Sequence, residues 1–125
     1  MLAKSDIIAF VTTADGKRAR KFYEGVLGLK VVEDTPFALV LDANGTMLRV
    51  AKAQKVVVAP YTVLGWRVGK IKSAIQKLAA KGVRCEKYDA MPQDELGIWD
   101  SPSGAKIAWF KDPDGNTLSL TEFPD

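Results

Sequence analysis

The two halves of the chain carry the same turn-and-strand pattern, and this repeat constrains the fold more than any other feature. Residues 42–50 read DANGTMLRV and residues 112–120 read DPDGNTLSL, with Asp, Gly and Leu at matching places. Asn-Gly and Asp-Gly pairs supply the positive φ angles that tight hairpins require. Each segment therefore predicts a turn followed by a short strand, and the repeat predicts two similar modules.

Each half also contains one amphipathic helix. Its apolar residues follow the i, i+3, i+4 spacing of a helix that packs on one side. The first helix is expected to begin after Asp15, an N-cap residue, and the two helices to stop at Gly28 and Gly82. The apolar stripes are Ala19, Phe22, Tyr23, Val26 and Leu27 in the first helix, and Ile71, Ala74, Ile75, Leu78 and Ala79 in the second.

Strand-like segments surround both helices in the same order. One precedes each helix, one follows it, and two more complete each half; the segment LGIWDS could form a further hairpin with AKIAWF. Each half thus has the order strand–helix–strand–strand–strand, which places the chain in the α+β class. We predict a single domain over residues 1–125, made of modules 5–52 and 60–123. The segments are IIAFVTT, LKVVE, FALVLD and TMLRVA in the first half, and TVLGWRV, VRCEKY, AKIAWFKD and TLSLTE in the second.

Length and charge exclude several classes of function. With 125 residues, 47% of them hydrophobic, the chain can bury one core. A net charge of +3 without a basic cluster argues against nucleic-acid binding. No apolar run in the sequence is long enough to cross a membrane, and no signal peptide is visible, so we expect a cytoplasmic protein.

Cys85 is the only cysteine, and the chain has no histidine. A single cysteine cannot form an internal disulfide, which favours a reducing compartment. A catalytic thiol usually needs an activating base such as histidine. We therefore interpret Cys85 as a small structural residue in a strand.

Three motifs together resemble the vicinal oxygen chelate (VOC) superfamily, which includes glyoxalase I, extradiol dioxygenases, and fosfomycin- and bleomycin-resistance proteins. They are D-x-x-x-A-x-x-F-Y-E-x-V-L-G-L from Asp15 to Leu29, K-G-V after the second helix, and W-F-K-D-P-D-G-N from Trp109 to Asn116. The resemblance implies the glyoxalase/bleomycin-resistance/dioxygenase fold, in which two βαβββ modules in tandem form a cupped mixed sheet. It also implies a homodimer that completes the cup.

The same resemblance implies where metal ligands would lie. Metal-using members carry His, Glu or Gln on the first and last strands of each module; the matching positions here are Ile8, Val63, Arg49 and Ser119. Ile and Val have no lone pair to offer, and Arg49 would repel a divalent cation. We therefore predict no metal and no cofactor.

If these positions line the cup, strand alternation adds neighbouring residues to it. Arg49 could hold a carboxylate or phosphate, or could instead pair with an acid such as Asp42. Trp99 is a candidate pocket wall, whereas Trp66 and Trp109 are interpreted as core. The predicted ligand-binding residues are Ile8, Phe10, Arg49, Val63, Arg67, Trp99 and Ser119.

Two hypotheses of a small-molecule function remain open, beside a structural or regulatory role through dimerisation. One is a metal-free relative of bleomycin-resistance proteins that binds a small amphipathic or aromatic molecule; the positive charge argues against cationic bleomycin itself. The other is a glyoxalase-type lyase or another VOC enzyme acting on a small molecule. Acid–base candidates are Tyr61, Tyr88, Glu95 and Asp100, but no nucleophile–base pair is evident, so no catalytic residue is assigned.

Overall fold

Two four-stranded mixed sheets, each accompanied by one main helix, form the computed structural model, which describes residues 1–125. The chain divides into two compact units, Met1–Val58 and Ala59–Asp125, which are called here the first and the second unit. No helix is long and apolar enough to cross a membrane. The βαβββ-like tandem confirms the predicted α+β class, although the strands form two hydrogen-bonded sheets rather than one.

In the first unit the strand order is β1-β4-β3-β2, and β1 runs parallel to β4. The predicted Asn-Gly turn joins β3 to β4, with φ angles of 52° at Asn44 and 92° at Gly45. Asp15 is the N-cap of α1, because its Oδ1 accepts a hydrogen bond from Arg18 N. The elements are β1 Ile8–Thr13, α1 Gly16–Arg20, a π-helical segment Lys21–Val26, β2 Lys30–Asp34, β3 Ala38–Ala43 and β4 Thr46–Lys52.

The first helix differs from the α-helix that the apolar stripe predicts. It is α-helical over only five residues and then π-helical, with Leu27 N donating to Phe22 O. Phe22 and Tyr23 are adjacent, yet both are buried, and their rings meet edge to face at 5.2 Å. A π-helix turns less per residue than an α-helix, so it can direct two consecutive aromatic rings into one core.

In the second unit the strand order is β5-β8-β7-β6, and β5 runs parallel to β8. Both glycine stops are confirmed, because φ is 75° at Gly28 and 84° at Gly82. The predicted pairing of LGIWDS with the following strand is also confirmed, since Trp99 pairs with Ile107. The elements are β5 Thr62–Arg67, α2 Ile71–Ala80, β6 Trp99–Asp100, β7 Lys106–Lys111 and β8 Thr117–Glu122.

The predicted strand VRCEKY is wrong, and Cys85 therefore does not lie in a strand. Residues 83–88 join the sheet through one hydrogen bond, from Glu86 N to Trp109 O. The backbone groups Glu86 O and Tyr88 N bond instead to the side chain of Gln93. A side chain that occupies backbone donors and acceptors prevents them from joining a strand ladder, and β6 takes the edge position.

Successive side chains along a strand point to opposite sides of the sheet, so each sheet has two different faces. On the inner face, Leu48 and Val50 of β4 and Ala108 and Phe110 of β7 are fully or almost fully buried. Helix α2 contributes to the second core with Ile71, Ile75 and Leu78, in agreement with its predicted stripe. The opposite face of each sheet is called here the outer face.

Glu122 at the end of β8 caps helix α2 from a distance. Its Oε1 accepts a hydrogen bond from Ile71 N at 2.9 Å, whereas the N-cap residue Lys70 provides no side-chain hydrogen bond. Glu122→Ala is expected to lower the free energy of unfolding by about 1 kcal/mol, because a helix N-terminus loses both an acceptor and a favourable charge. Glu95→Ala, which removes an exposed carboxylate, is the control in urea denaturation, and an equal loss in both variants would contradict this role.

Candidate functional site

The outer face of the first sheet exposes apolar side chains around one arginine. Ile8 is opposite Met47 and Phe10 is opposite Arg49 in the β1–β4 register. Ile8 and Phe10 are 46% and 59% exposed, although both lie within a strand. Three of the residues predicted to bind a ligand, Ile8, Phe10 and Arg49, thus lie together on this face.

The side chain of Arg49 makes no hydrogen bond or ion pair within the chain. Asp42, the alternative partner from the sequence, instead accepts a hydrogen bond from Gly45 N at 2.9 Å. The neighbours of Arg49 in register are Phe10 and Val40, which offer no acceptor side chain. Its guanidinium is therefore free to bind an anion.

A pocket of 570 Å³ adjoins this face in the first unit. Ile8 and Met47 belong to both, so the pocket continues the apolar surface. Its charged lining residues are Asp6, Lys30 and Asp42. Ligand pockets in proteins commonly have this size and a mostly apolar lining. The lining residues are Asp6, Ile7, Ile8, Lys30, Val32, Val40, Leu41, Asp42, Gly45 and Met47.

On the outer face of the second sheet, Ser119 lies in a shallow notch. It pairs with Gly65 on one side and Trp109 on the other. Ser119 is only 8% exposed, and its hydroxyl makes no hydrogen bond within the chain. An alanine Cβ at position 65 would stand 2.5 Å from Ser119 Oγ, so glycine is needed there to leave the hydroxyl its space.

The two other strand residues predicted to bind a ligand in the second unit, Val63 and Arg67, lie on either side of Gly65 along β5. The β5–β8 register shifts between Thr62 and Leu64, so Val63 has no strand partner, and simple alternation fails there. The guanidinium carbon of Arg67 lies 5.1 Å from the centre of the Phe123 ring, a cation–π distance. Arg67 is therefore already engaged, unlike Arg49.

Trp109 is the centre of an aromatic cluster on the same outer face, which corrects its assignment to the core. Its ring centre lies 5.8 Å from that of Tyr88 and 6.2 Å from that of Trp99. Its indole N–H donates to Thr62 Oγ1 at 3.0 Å, which fixes the ring. Trp66, by contrast, stacks on buried Phe110 at 6.4 Å, as a core residue would.

A second pocket, of 350 Å³, opens beside Trp109 in the second unit. None of the residues predicted to bind a ligand lines it, although Tyr61 and Tyr88 are among the acid–base candidates. Thr62 and Thr117 line this pocket together because the bulge at Val63 makes them partners on neighbouring strands. The sequence does not indicate this bulge, so the pocket could not be predicted from it. The lining residues are Pro60, Tyr61, Thr62, Tyr88, Met91, Trp109, Lys111 and Thr117.

Gln93 holds the segment that carries Tyr88. Its Oε1 accepts from Tyr88 N at 2.7 Å, and its Nε2 donates to Glu86 O at 3.0 Å and to Gly97 O at 2.8 Å. Burial, together with the negative charge of Glu86, raises the pKa of the Tyr88 phenol. Tyr88 is therefore a protonated hydrogen-bonding group at neutral pH rather than a general base.

The remaining candidate residues do not form a catalytic group. Asp100 is paired with Lys106 at 2.6 Å, and Glu95 is exposed. Burial raises the pKa of the Cys85 thiol, with the charges of Glu86 and Asp94 adding to the effect, so the reactive thiolate is disfavoured.

The side chains at the positions that the resemblance assigns to metal ligands do not fit a metal centre. They are isoleucine, arginine, valine and serine, and only serine among them has an oxygen donor. No group of three or more His, Cys, Asp or Glu side chains in the chain could hold a metal ion. The polar groups that the outer faces do present are suited to hydrogen bonding and to charge pairing.

Two βαβββ-like units in tandem, each with an open outer sheet face, define the vicinal oxygen chelate class of fold. The chain belongs to the Glyoxalase/Bleomycin resistance protein/Dioxygenase superfamily, whose family model matches residues 6–120. A comparison with curated proteins found no match.

Solved structures of similar fold cover almost the whole chain at low sequence identity. Lactoylglutathione lyase from Agrobacterium tumefaciens has a TM-score of 0.75 and 16% identity, covering 98% of this chain and 96% of its own. A member of the same superfamily from Sphaerobacter thermophilus has a TM-score of 0.74 and 21% identity, with 98% and 99% covered. A glyoxalase family protein from Enterococcus faecalis has a TM-score of 0.72 and 21% identity, with 98% and 100% covered. At these identities the likeness concerns the fold alone.

Proposed function

We propose that this protein is a metal-free member of the superfamily that binds a small amphipathic or aromatic molecule against the outer face of a sheet. The ligand is held by apolar contact and by one charge-assisted interaction rather than by a metal. The protein acts in the cytoplasm as a homodimer.

The observation that carries this proposal is the unpaired Arg49 on an exposed apolar face. Ile8, Phe10 and Met47 surround it and stay accessible to solvent, although apolar side chains on a strand are normally covered. A ligand that covers them gains about 25 cal/mol per Å² of apolar area before the costs of association. The planar guanidinium then selects ligands that carry a carboxylate or phosphate, because it can bind either with two parallel hydrogen bonds.

The proposal is tested by a thermal-shift screen with aromatic acids, antibiotics and thiol conjugates. A ligand at 100 times its Kd should stabilise the protein by about 2.7 kcal/mol. If no compound raises the melting temperature, the binding function loses its support.

Arg49→Ala is expected to weaken the binding of an anionic hit from this screen by about 10- to 100-fold, the effect of losing a hydrogen bond to a charged group. Arg84→Ala, which removes an exposed arginine of the second unit, is the matched control and should leave the Kd unchanged. Titration calorimetry measures both. Equal affinities for the wild type and the Arg49 variant would remove Arg49 from the site.

A glyoxalase-type lyase is the competing function, and the name of the Agrobacterium relative is what favours it. The residues of this chain offer it little support, because the acid–base candidates are a raised-pKa tyrosine, an ion-paired aspartate and exposed groups. Protein purified without an affinity tag should be analysed for metal and assayed with methylglyoxal, glutathione and added Ni²⁺ or Zn²⁺. Stoichiometric metal with turnover would support the lyase and contradict the binding protein.

A further inference from the structure

The pocket of 350 Å³ in the second unit presents hydrogen-bond donors and no carboxylate. Lys111 Nζ donates one hydrogen bond, to Thr117 Oγ1 at 2.8 Å, and makes no ion pair. An ammonium has three N–H donors, so two remain for a ligand. No Asp or Glu is among the residues that line the pocket, and its positive charge is therefore not neutralised there.

The two threonine hydroxyls of the pocket add further hydrogen-bond donors for an anionic ligand. Thr117 Oγ1 accepts from Lys111 Nζ, and Thr62 Oγ1 accepts from the Trp109 indole at 3.0 Å. A hydroxyl that already accepts has its own O–H left to donate, and neither threonine donates to another group of the chain. Thr117 is 6% exposed, so its hydroxyl is held in place by the surrounding strands.

The pocket is also lined by aromatic side chains, whose central ring is held by a hydrogen bond. Trp109 is fixed by its hydrogen bond to Thr62, and Tyr88 meets it edge to face, at 80° and 5.8 Å. Gln93 holds the backbone of Tyr88 in this position. Tyr61 and Met91 complete a surface suited to a flat ring, because aromatic and thioether groups both pack well on π faces.

We infer that this pocket binds a planar aromatic group bearing a negative charge, with the ring on Trp109 and Tyr88 and the anion on Lys111, Thr62 and Thr117. The inference rests on the proposed function and names the class of ligand, an aryl carboxylate or a similar aromatic anion. A cationic aromatic compound is disfavoured, because it would meet the Lys111 ammonium in a pocket without a counter-charge.

Three probes separate the ring from the charge: 2-naphthoate, its neutral analogue 2-naphthamide, and cyclohexanecarboxylate, an anion without an aromatic ring. Binding is measured by titration calorimetry, and the position by NMR chemical-shift changes at the backbone amides. We expect 2-naphthoate to bind at least tenfold more tightly than either other probe, with shift changes in β7, β8 and the segment around Tyr88.

Lys111→Met keeps most of the length of the side chain but removes its charge. It is expected to weaken 2-naphthoate binding at least tenfold while changing 2-naphthamide binding less than twofold, since only the anion loses a charge-assisted contact. Lys77→Met, on helix α2, causes the same change in net charge outside the pocket and should leave both affinities unchanged.

Several results would overturn the inference. These are equal affinity for 2-naphthoate and 2-naphthamide, unchanged 2-naphthoate binding in Lys111→Met, and no shift changes in the second unit at millimolar 2-naphthoate. If Arg49→Ala rather than Lys111→Met weakens 2-naphthoate, the ligand belongs to the first unit, and the proposed function stands without this inference. If neither these probes nor any compound of the thermal-shift screen binds, both fail.

Discussion

Phe110→Ala is expected to lower the free energy of unfolding by about 4 kcal/mol, within the range observed when a buried phenylalanine is truncated. Phe110 is 0% exposed, lies on the inner face of β7 and stacks on Trp66. Its removal leaves a cavity that the neighbouring strand cannot close, because Phe110 pairs with Leu118 in the β7–β8 ladder, which fixes the position of both strands. Urea denaturation followed by circular dichroism measures the loss.

The adjacent residue provides the control for this prediction. Trp109→Ala removes a larger side chain from the same strand, but on the partly exposed outer face. It should cost less than half as much stability as Phe110→Ala, while 2-naphthoate binding should be lost. Equal destabilisation by the two substitutions would mean that Trp109 belongs to the core after all.

Asp112→Ala is the second substitution expected to have a large effect, a loss of about 3 kcal/mol. Asp112 is 5% exposed, and its carboxylate accepts from Asp114 N, Asn116 N and Asn116 Nδ2 at 2.8–3.0 Å. Alanine would leave the two buried Asn116 donors and the partly buried Asp114 N–H without their acceptor, which costs more than a hydrogen bond contributes. Thermal and urea unfolding both report the change.

The internal repeat supplies a matched control. Asp42 occupies the corresponding place in the first unit, but it is exposed, and the one bond it accepts is from Gly45 N. Asp42→Ala should therefore cost about 1 kcal/mol or less, the net value of an ordinary exposed hydrogen bond. Asp112→Asn, which keeps one acceptor oxygen, should fall between the two alanine variants. If the Asp42 and Asp112 variants unfold alike, the buried network does not stabilise the turn as argued.

Structural features that depend on only a few consecutive residues could be predicted from the sequence. The Asp15 cap, the glycine stops at Gly28 and Gly82, and the Asn-Gly turn depend on backbone preferences within a few residues. The apolar stripe of α2 and the repeat of turn and strand depend on local periodicity. These signals are sufficient to predict the α+β class and to recognise the resemblance to the superfamily.

Parts of the candidate site could be placed in the same way. Strand alternation correctly brought Ile8, Phe10 and Arg49 to one face of the first sheet, because the β1–β4 register is regular. In the second unit a one-residue bulge at Val63 breaks the alternation. Thr62, rather than Val63, therefore lies on the outer face, where its hydroxyl accepts a hydrogen bond from the Trp109 indole. A register shift of this kind depends on how two strands that are distant in sequence pair, and a local sequence pattern does not indicate that pairing.

Local pattern determined the modules of this protein: two helices with their glycine stops, the Asp15 cap of the first helix, and the turns between successive strands. Tertiary structure decided which polar groups are free to bind a ligand. Arg49 lacks a partner because its neighbours in register have no acceptor side chain. Gln93 bonds to the backbone of Glu86 and Tyr88, so this segment does not form the predicted strand, and Tyr88 lines a pocket instead. The first outcome arises from the pairing of β1 with β4, two strands far apart in the chain. The second arises from hydrogen bonds of the Gln93 side chain to backbone groups four to seven residues away. Neither set of contacts follows from the local periodicity of the sequence.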